Sequence, residues 1–187
     1  MFIEIQSALR LDKHSIENKR INIVQEPSTD ASFLLHHFVS LAVKSNCNIL
    51  IISLEQTFGH FYGIGMKLGY DLLKLQKKGQ VIFYDALKTA HGSYLNNTEC
   101  TDNDADIFEF HSGKTTLSSF ITVIKEKIDG FSDKTRPVFV IIDKLSLFLS
   151  LGVKLPSVVN LILRVQSLVQ EKNGSLGNIQ KQAMRQC

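Results

Sequence analysis

Paired cysteines and long hydrophobic runs are both missing from this chain of 187 residues. The three cysteines, Cys47, Cys100 and Cys187, are odd in number and form no CxxC pair, so we expect no disulfide framework and a reducing compartment. The longest apolar runs have the length of a strand and cannot span a bilayer, and the first residues contain no apolar core of a secretory signal. We therefore expect a soluble intracellular protein without a membrane partner. We place it in the cytoplasm, and residence in the nucleus stays open because no clear basic signal is present.

A strong net charge is also absent. The formal net charge is +3, while 44% of the residues are hydrophobic and 21% are charged, as in soluble globular proteins. The length is sufficient for one domain with a sizeable core. The mildly basic balance permits nucleic acid as a partner but is not evidence for one.

Short apolar runs alternate with longer amphipathic stretches along the chain. We predict buried strands at residues 21–24, 48–54, 80–86 and 137–143. Their continuous apolar character is typical of a parallel sheet that helices cover on both faces. The order of elements predicts an α/β fold with right-handed crossovers around a mostly parallel sheet.

Helical spacing of apolar residues lies between these runs. It predicts a helix over 30–44 with Asp30 as N-cap and a weaker helix over 58–75 that glycines interrupt. A further helix has its apolar face between Leu117 and Ile128, and another follows Pro156. The last fifteen residues are polar and contain no run typical of a strand. We therefore predict one domain over residues 1–172 and a polar, disordered tail over 173–187, so that the sheet ends early.

Gly113-Lys114-Thr115 matches the end of the phosphate-loop motif GxxxxGK[ST]. The motif needs a glycine four residues earlier, where this chain has Phe108, and it should follow a buried strand. The segment over 89–113 is instead an acidic loop, whose carboxylates would repel phosphate. The interpretation that we favour is a polar helix start with Ser112 or Thr115 as its cap.

A phosphate loop belongs between the first strand and the first helix, at residues 25–32. In the alignment with the motif, Gln25 and Asp30 occupy the glycine positions and Ala31 occupies the lysine position. Of the residues that the motif requires, only the final Ser/Thr is present, as Ser32. A carboxylate therefore faces the position of the phosphate and the cationic contact is missing, so we predict a degenerate phosphate loop that disfavours a triphosphate.

Asp143 follows an apolar strand, as a magnesium-binding Walker B aspartate does. Lys144 comes next, so no adjacent carboxylate is available as a base. Without a phosphate loop, we favour the interpretation of Asp143 as a solvated end of a strand.

Other patterns provide no specific site. Asp102, Asp104 and Asp106 have the spacing of an EF-hand but lack its glycine and its final glutamate. The glycines of 63–69 do not follow GxGxxG, and packing or a turn explains them better than a dinucleotide. His36-His37 lacks HExxH spacing, and we interpret one histidine as packed and the other as exposed.

Basic residues cluster modestly around the second helix and the third strand. They are Lys67, Lys74, Lys77, Lys78 and Lys88. Such a cluster can contact phosphates but is usually a solvated surface. In total, we predict no catalytic, cofactor-binding or metal-binding residue.

Three segments carry a resemblance to a known family: "MFIEIQSAL" at the start, residues 29–69 and "VFVIIDKLSLFLSLG" at 138–152. They resemble the Elongator complex protein 6 family, most specifically through "SFLLHHF" followed by "LEQTFGHFYGIGMKLG". The resemblance covers about residues 1–172. Near Lys172 the chain leaves the family pattern, so we expect a truncated or alternatively spliced form that is less stable and assembles poorly.

The resemblance implies a RecA-like fold without a working phosphate loop. It implies a hetero-hexameric ring with Elongator subunits four and five, within the complex that modifies the wobble uridine of tRNA with carboxymethyl-derived groups. It implies a role in assembly and tRNA binding, with no cofactor and no catalytic residue. Two alternatives remain: an NTPase that uses Gly113-Lys114-Thr115 or completes a neighbour's site, and a small-molecule-binding module that uses 63–69.

Overall fold

A computed structural model describes residues 19–26, 29–86 and 117–181 of the chain. In these ranges the elements are β1 (Arg20–Gln25), α1 (Ser32–Lys44), β2 (Asn48–Ser53), α2 (Phe58–Leu68), α3 (Leu72–Lys77), β3 (Val81–Asp85), α4 (Ser118–Asp129), β4 (Val138–Ile142), α5 (Ser146–Ser150), α6 (Leu155–Gln170) and β5 (Ser175–Lys181). The strands predicted at 21–24, 48–54, 80–86 and 137–143 are confirmed, with ends that differ by one residue. None of the described helices is long and apolar enough to cross a membrane.

The strands form one sheet in the order β1-β5-β4-β2-β3. All of its pairings are parallel. The sheet is flanked by helices, which confirms the α/β class and is consistent with a RecA-like fold.

Alternate residues of the central strands supply two separate cores. Ile49 and Ile51 of β2 face a core that α1, α2 and α3 cover, whereas Leu50 and Ile52 face a core that α4, α5 and α6 cover. Each strand side chain points to the face opposite its neighbour's, so a continuous apolar run is needed to fill both cores. The sheet is therefore buried on both faces, as the sequence predicted.

The sheet contains a strand where the sequence predicted none. β5 lies in residues 173–187 and pairs with β1 and β4, so the prediction that the sheet ends before this segment is wrong. Gly174 lies where the chain enters the sheet. A glycine is needed at this position, because a Cβ there would collide with the carbonyl oxygen of Val138. Gly177 leaves room for the ring of Phe139, which would lie 3.3 Å from an added Cβ.

The weak helix predicted over 58–75 consists of two helices. α2 ends at Gly69, whose φ of 85° is the left-handed conformation that glycine adopts without strain. Asp71 then caps α3 by accepting a hydrogen bond from the backbone N–H of Lys74 at 3.1 Å. The glycines of 63–69 thus belong to a helix and its cap, and not to the strand-to-helix turn that a dinucleotide site requires.

Candidate functional site

The carboxyl ends of β1, β2 and β4 meet at one edge of the sheet. The chain leaves β1 through α1 on one face and passes β5 and β4 before it enters β2, whereas it leaves β4 through α6 on the other face and enters β5. A crevice at such a reversal is the usual place of a ligand in an open α/β sheet. A pocket of about 300 Å³ lies there, lined by Gln25, Thr29, Asp30, Ser32, Leu35, Glu55, Gln56, Asp143 and Lys144.

Asp143 is the best-connected polar side chain of this pocket. One carboxylate oxygen, Oδ1, accepts a hydrogen bond from the backbone N–H of Leu54 at 2.7 Å. The other, Oδ2, accepts from the hydroxyl of Ser53 at 2.6 Å and from the backbone N–H groups of Glu55 and Gln56, each at 3.2 Å. The Ser53 hydroxyl also contacts the carbonyl oxygen of Gln56. Asp143 therefore fixes the whole turn that follows β2.

This geometry corrects the interpretation of Asp143 as a solvated end of a strand. The residue is only 5% exposed, and its carboxylate is hydrogen-bonded by the protein. Burial raises the pKa of the carboxyl group, while the hydrogen bonds from Ser53 and from the backbone act in the opposite direction. No group of histidine, cysteine and acidic residues within the described ranges is arranged to hold a metal ion. Asp143 thus serves the turn after β2.

Asp30 lies where an anion would bind at the start of α1. The helix begins at Ser32, and Ala31 is its N-cap without a side-chain bond, so the prediction of Asp30 as N-cap is wrong by one position. The Oδ1 of Asp30 instead accepts a hydrogen bond from the backbone N–H of Ser32 at 2.9 Å. A carboxylate of the chain itself thus occupies one of the N–H groups that could bind phosphate at a helix N-terminus.

The one cation among the described residues that line the pocket is already paired. Lys144 forms a salt bridge with Glu55, which holds the lysine toward the turn after β2. The pocket therefore presents the carboxylates of Asp30, Glu55 and Asp143 against a single lysine. An anionic ligand such as a nucleoside triphosphate would meet a surface of net negative charge.

The turn after β2 is the part of this site that sequence reasoning missed. Ser53, Glu55 and Gln56 were not singled out, because they belong to no known motif. A polar Ser-Leu-Glu-Gln run directly after an apolar strand is the signal that could have indicated them. Its partner, Asp143, lies 90 residues away from Ser53 in the chain, and only the parallel pairing of β2 with β4 brings the two together.

The two adjacent histidines lie on α1, directly after Leu35, which lines the pocket. His36 and His37 are each 1% exposed, so the prediction that one of them is exposed is wrong. Burial, and then the charge of His60, lowers the pKa of His36 to about 4, while Asp30 opposes this shift. Burial is also the main cause that lowers the pKa of His37. The rings of Phe61 and His60 pack on His36 at centroid distances of 4.7 Å and 5.7 Å.

Several sequence predictions lie outside the described residues. These are Gly113-Lys114-Thr115, the EF-hand-like aspartates, the acidic loop over 89–113, and Lys88. Of the remaining basic cluster, Lys67, Lys74, Lys77 and Lys78 are exposed on α2, on α3 and at the C-cap of α3. Lys74 forms a salt bridge with Asp71 at 3.4 Å.

Comparison with known proteins assigns the chain to a family. A family model described as Elongation complex protein 6 matches residues 2–184. Elongator complex protein 6 of Danio rerio is 28% identical over 169 residues, which cover 90% of this chain and 63% of the relative. The protein of that name from Rattus norvegicus is 32% identical over 82% of this chain and 58% of the relative. The Homo sapiens protein is 30% identical over 87% of this chain and 61% of the relative.

The family match extends beyond the resemblance found in the sequence, which was expected to fade near Lys172. β5 lies in the added part of the match. The chain spans between 58% and 63% of the length of these three relatives. Since the family model matches nearly the whole chain, the chain belongs to the Elongation complex protein 6 family.

Proposed function

We propose that this chain is a non-catalytic subunit of the Elongator complex. In this role it forms a RecA-like hetero-hexameric ring with Elongator subunits four and five. The ring supports modification of the wobble uridine of tRNA through assembly and through tRNA binding. The observation that carries the proposal is the match to the Elongation complex protein 6 family over residues 2–184.

The geometry of the pocket supports a non-catalytic role. The position that a nucleotide phosphate would take is occupied by the hydrogen bond between Asp30 and Ser32. The aspartate in the Walker B position, Asp143, has its oxygens engaged by the turn after β2. A metal-bound nucleotide would have to replace these hydrogen bonds and overcome the excess of carboxylates. The chain therefore uses the nucleotide-binding frame for structure.

Co-expression with Elongator subunits four and five tests the assembly role. The sequence predicted that this form assembles poorly, but residues 175–181 supply a strand of the sheet where a disordered tail was predicted. We therefore expect the 187-residue chain to co-purify with both subunits in a complex whose mass, measured by light scattering after gel filtration, corresponds to a hetero-hexamer. A chain that elutes alone or as an aggregate, while subunits four and five are folded, would contradict the assembly role of this chain.

The exposed lysines of α2 and α3 offer a test of the tRNA-binding role. A variant with Lys67, Lys77 and Lys78 changed to Ala should weaken tRNA binding by the assembled ring and flatten its salt dependence, because fewer counterions are released. A control variant changes Lys125 and Lys154, which are exposed on the other helical layer, to Ala. Equal tRNA affinities for the two variants would exclude the α2–α3 lysines as the tRNA contact.

A further inference from the structure

The turn between α6 and β5 contains the only Asn-Gly pair in the sequence, Asn173-Gly174. Such a pair is chemically reactive, because the backbone nitrogen of the glycine can attack the side-chain amide of the asparagine and no Cβ hinders the approach. Asn173 is exposed, whereas Gly174 is buried. The reactive amide is therefore accessible to water, while the attacking nitrogen lies within the fold.

The backbone nitrogen of Gly174 is engaged in the folded chain. Its N–H donates a hydrogen bond to the carbonyl oxygen of Val169 at 2.9 Å, as in a common type of helix ending. Asn173 has a φ of 51°, in the left-handed conformation that asparagine tolerates better than most residues. Attack on the amide requires that the Gly174 nitrogen lose its proton, so the hydrogen bond to Val169 must first break. The folded turn therefore protects Asn173.

Packing restrains Gly174 as long as β5 lies in the sheet. A Cβ added at Gly174 would collide with the carbonyl oxygen of Val138, so the backbone is in close contact there. The next residues are anchored as well. The hydroxyl of Ser175 accepts a hydrogen bond from the backbone N–H of Lys19 at 3.1 Å, and Leu176 is buried in the core that α4, α5 and α6 cover. The rotation that the reaction needs can therefore occur only after the start of β5 has left the sheet.

A second asparagine shows the same arrangement without the glycine. Asn46 follows α1 as Asn173 follows α6, it is exposed, and its φ is 56°. The N–H of the next residue, Cys47, donates to the carbonyl oxygen of Ala42 at 3.0 Å, which is the same pattern as between Gly174 and the end of α6. The Cβ of Cys47 stands beside the nitrogen that would attack. The two turns thus share one hydrogen-bond pattern, and the turn after α6 combines it with a reactive pair.

The reaction of this pair needs only water. The Gly174 nitrogen loses its proton to hydroxide and forms a bond to Cγ of Asn173, and the side-chain nitrogen of Asn173 leaves as ammonia. Water then opens the resulting succinimide ring. Hydrolysis at Cγ gives aspartate, whereas hydrolysis at the main-chain carbonyl carbon gives isoaspartate, in which the chain continues through the side chain and the α-carboxylate is free.

Isoaspartate adds one carbon atom to the main chain at residue 173, directly before the close contact of Gly174. Even a Cβ on Gly174 would collide with the carbonyl oxygen of Val138. Protein interiors are close-packed, so an added atom displaces its neighbours. A chain with isoaspartate at this position therefore cannot restore the register of β5 with β4, in which Ser175 is the partner of Phe139.

We propose that Asn173-Gly174 is a site of spontaneous deamidation that is protected while β5 lies in the sheet and reacts once the start of β5 detaches. Conversion of Asn173 to isoaspartate then makes the detachment permanent. β5 lies between β1 and β4, so the modified chain also loses the strand that joins β1 to the sheet. The site acts within the chain itself, whether or not the chain is part of Elongator.

Peptide mass spectrometry of the aged 187-residue chain tests the protection. The chain is kept at mildly alkaline pH, either folded or in urea that unfolds it, and the deamidated fraction at Asn173 is followed. We expect deamidation to be at least about tenfold slower in the folded chain, because the site reacts only from its open state. Asn46 is the matched position and should react more slowly than Asn173 in urea. Equal rates at Asn173 in the folded and the unfolded chain would overturn the proposal.

Two matched substitutions distinguish detachment of β5 from unfolding of the whole chain. Leu176→Val shortens a buried side chain of β5, and Leu72→Val makes the same change on α3 in the other core. The two folded variants are compared at equal free energies of unfolding, which are set with urea. Leu176→Val should deamidate at Asn173 at least about threefold faster than Leu72→Val, because it loosens β5 locally. Equal rates would mean that global unfolding alone opens the site, which contradicts the role of β5.

Hydrogen exchange tests whether the detachment is permanent. After ageing in urea and removal of the urea, chains that contain isoaspartate should lack amide protection over residues 175–181, whereas unmodified chains should regain it. The control is Asn173→Gly, since glycine adopts the left-handed conformation and has no side-chain amide; its β5 should regain protection after the same treatment. Equal protection of β5 in chains with and without isoaspartate would overturn the proposal.

Discussion

The pocket at the carboxyl ends of the strands and the groove between β1 and α6 differ in how their polar groups are hydrogen-bonded. In the pocket, the carboxylate of Asp143 accepts four hydrogen bonds from the chain itself, and Lys144 is paired with Glu55. In the groove, which has a volume of about 190 Å³ and is lined by Asn22 and Asn178 among others, the buried Oδ1 of Asn178 has no hydrogen-bond partner among the described residues. The carboxylate of Asp143 and the ammonium group of Lys144 are thus bonded within the fold, whereas the buried Oε1 of Gln56, which also lines the pocket, has no hydrogen-bond partner among the described residues. At the edge of the sheet, the outer backbone groups of β1 have no partner strand among the described residues.

The largest expected effect comes from removing the centre of the pocket network. Asp143→Ala removes the acceptor of the N–H groups of Leu54 and Glu55. It also removes one of the two acceptors of the Ser53 hydroxyl and of the Gln56 N–H. We expect the free energy of unfolding to fall by about 4 kcal/mol, which corresponds to a fall in Tm of about 10 °C. Glu55→Ala is the control: it breaks only a half-exposed ion pair and should cost less than about 1 kcal/mol. Similar Tm values for both variants would contradict the closed network.

A fall in pH should lower the free energy of unfolding through His36 by a slightly smaller amount. The unfolded chain protonates His36 near pH 6.5, whereas the folded chain does so only near its lowered pKa of about 4. The unfolded state therefore binds more protons in this window, and stability is lost as the pH falls from about 6.5 to 4. Protonation of His36 in the unfolded chain lowers the free energy of unfolding by at most about 3 kcal/mol. Above pH 6.5 this loss of stability is absent.

Asp143 acts in the opposite direction, because burial raises its pKa and the folded chain then binds this proton before the unfolded chain does as the pH falls. The contribution of His36 is therefore taken from the difference between the unchanged chain and His36→Leu. Urea unfolding at pH 7 and pH 5 should show a smaller loss of stability for His36→Leu. His60→Gln, which changes an exposed histidine, should retain most of the loss. Equal losses for the unchanged chain and His36→Leu would exclude His36 as the source.

Substitution of Asn178 measures how incomplete the groove is. Asn178→Leu removes a buried oxygen that has no hydrogen-bond partner, so we expect the chain to gain about 1 kcal/mol of stability. Asn22→Leu makes the same change at an exposed position of the groove and should stay within about 0.5 kcal/mol. A clear loss of stability in Asn178→Leu would mean that the carboxamide is satisfied within the fold.

The smallest effect is expected from rebuilding the phosphate loop. The double variant Asp30→Gly and Ala31→Lys restores two positions of the motif and removes the carboxylate from the start of α1. It should gain weak binding of magnesium-ATP, with a dissociation constant in about the millimolar range, that calorimetry does not detect for the unchanged chain. Asp30→Gly alone is the control and should gain less, since it adds no cation. No gain in affinity of either variant over the unchanged chain would contradict the role of Asp30.

The sequence predicted strands β1 to β4 but not β5, which lies between β1 and β4 in the sheet. β2 and β4 were found because runs such as "NILIIS" and "VFVII" fill two cores at once. β5, "SLGNIQK", has no such run, since Gly177 leaves room for Phe139 and Asn178 faces the groove. β5 therefore lacks the apolar run by which β2 and β4 were recognised. Local sequence therefore could not indicate it.

The site was predicted in its chemistry and missed in its geometry. Comparison with the phosphate-loop motif indicated that Asp30 replaces a glycine, and the structure places this carboxylate at the start of α1. The burial of Asp143 and of both histidines could not be read from spacing, because it depends on the turn after β2 and on the packing of α1 against α2. These contacts join distant parts of the chain.

Photolabelling of the assembled complex with azido-ATP tests the central claim most directly. If the carboxylates of the pocket exclude nucleotide, the label should be recovered from the partner subunits and not from the β1–α1 turn or the turn after β2 of this chain. Label on peptides that contain Asp30 or Glu55, competed by unmodified ATP, would contradict a non-catalytic pocket.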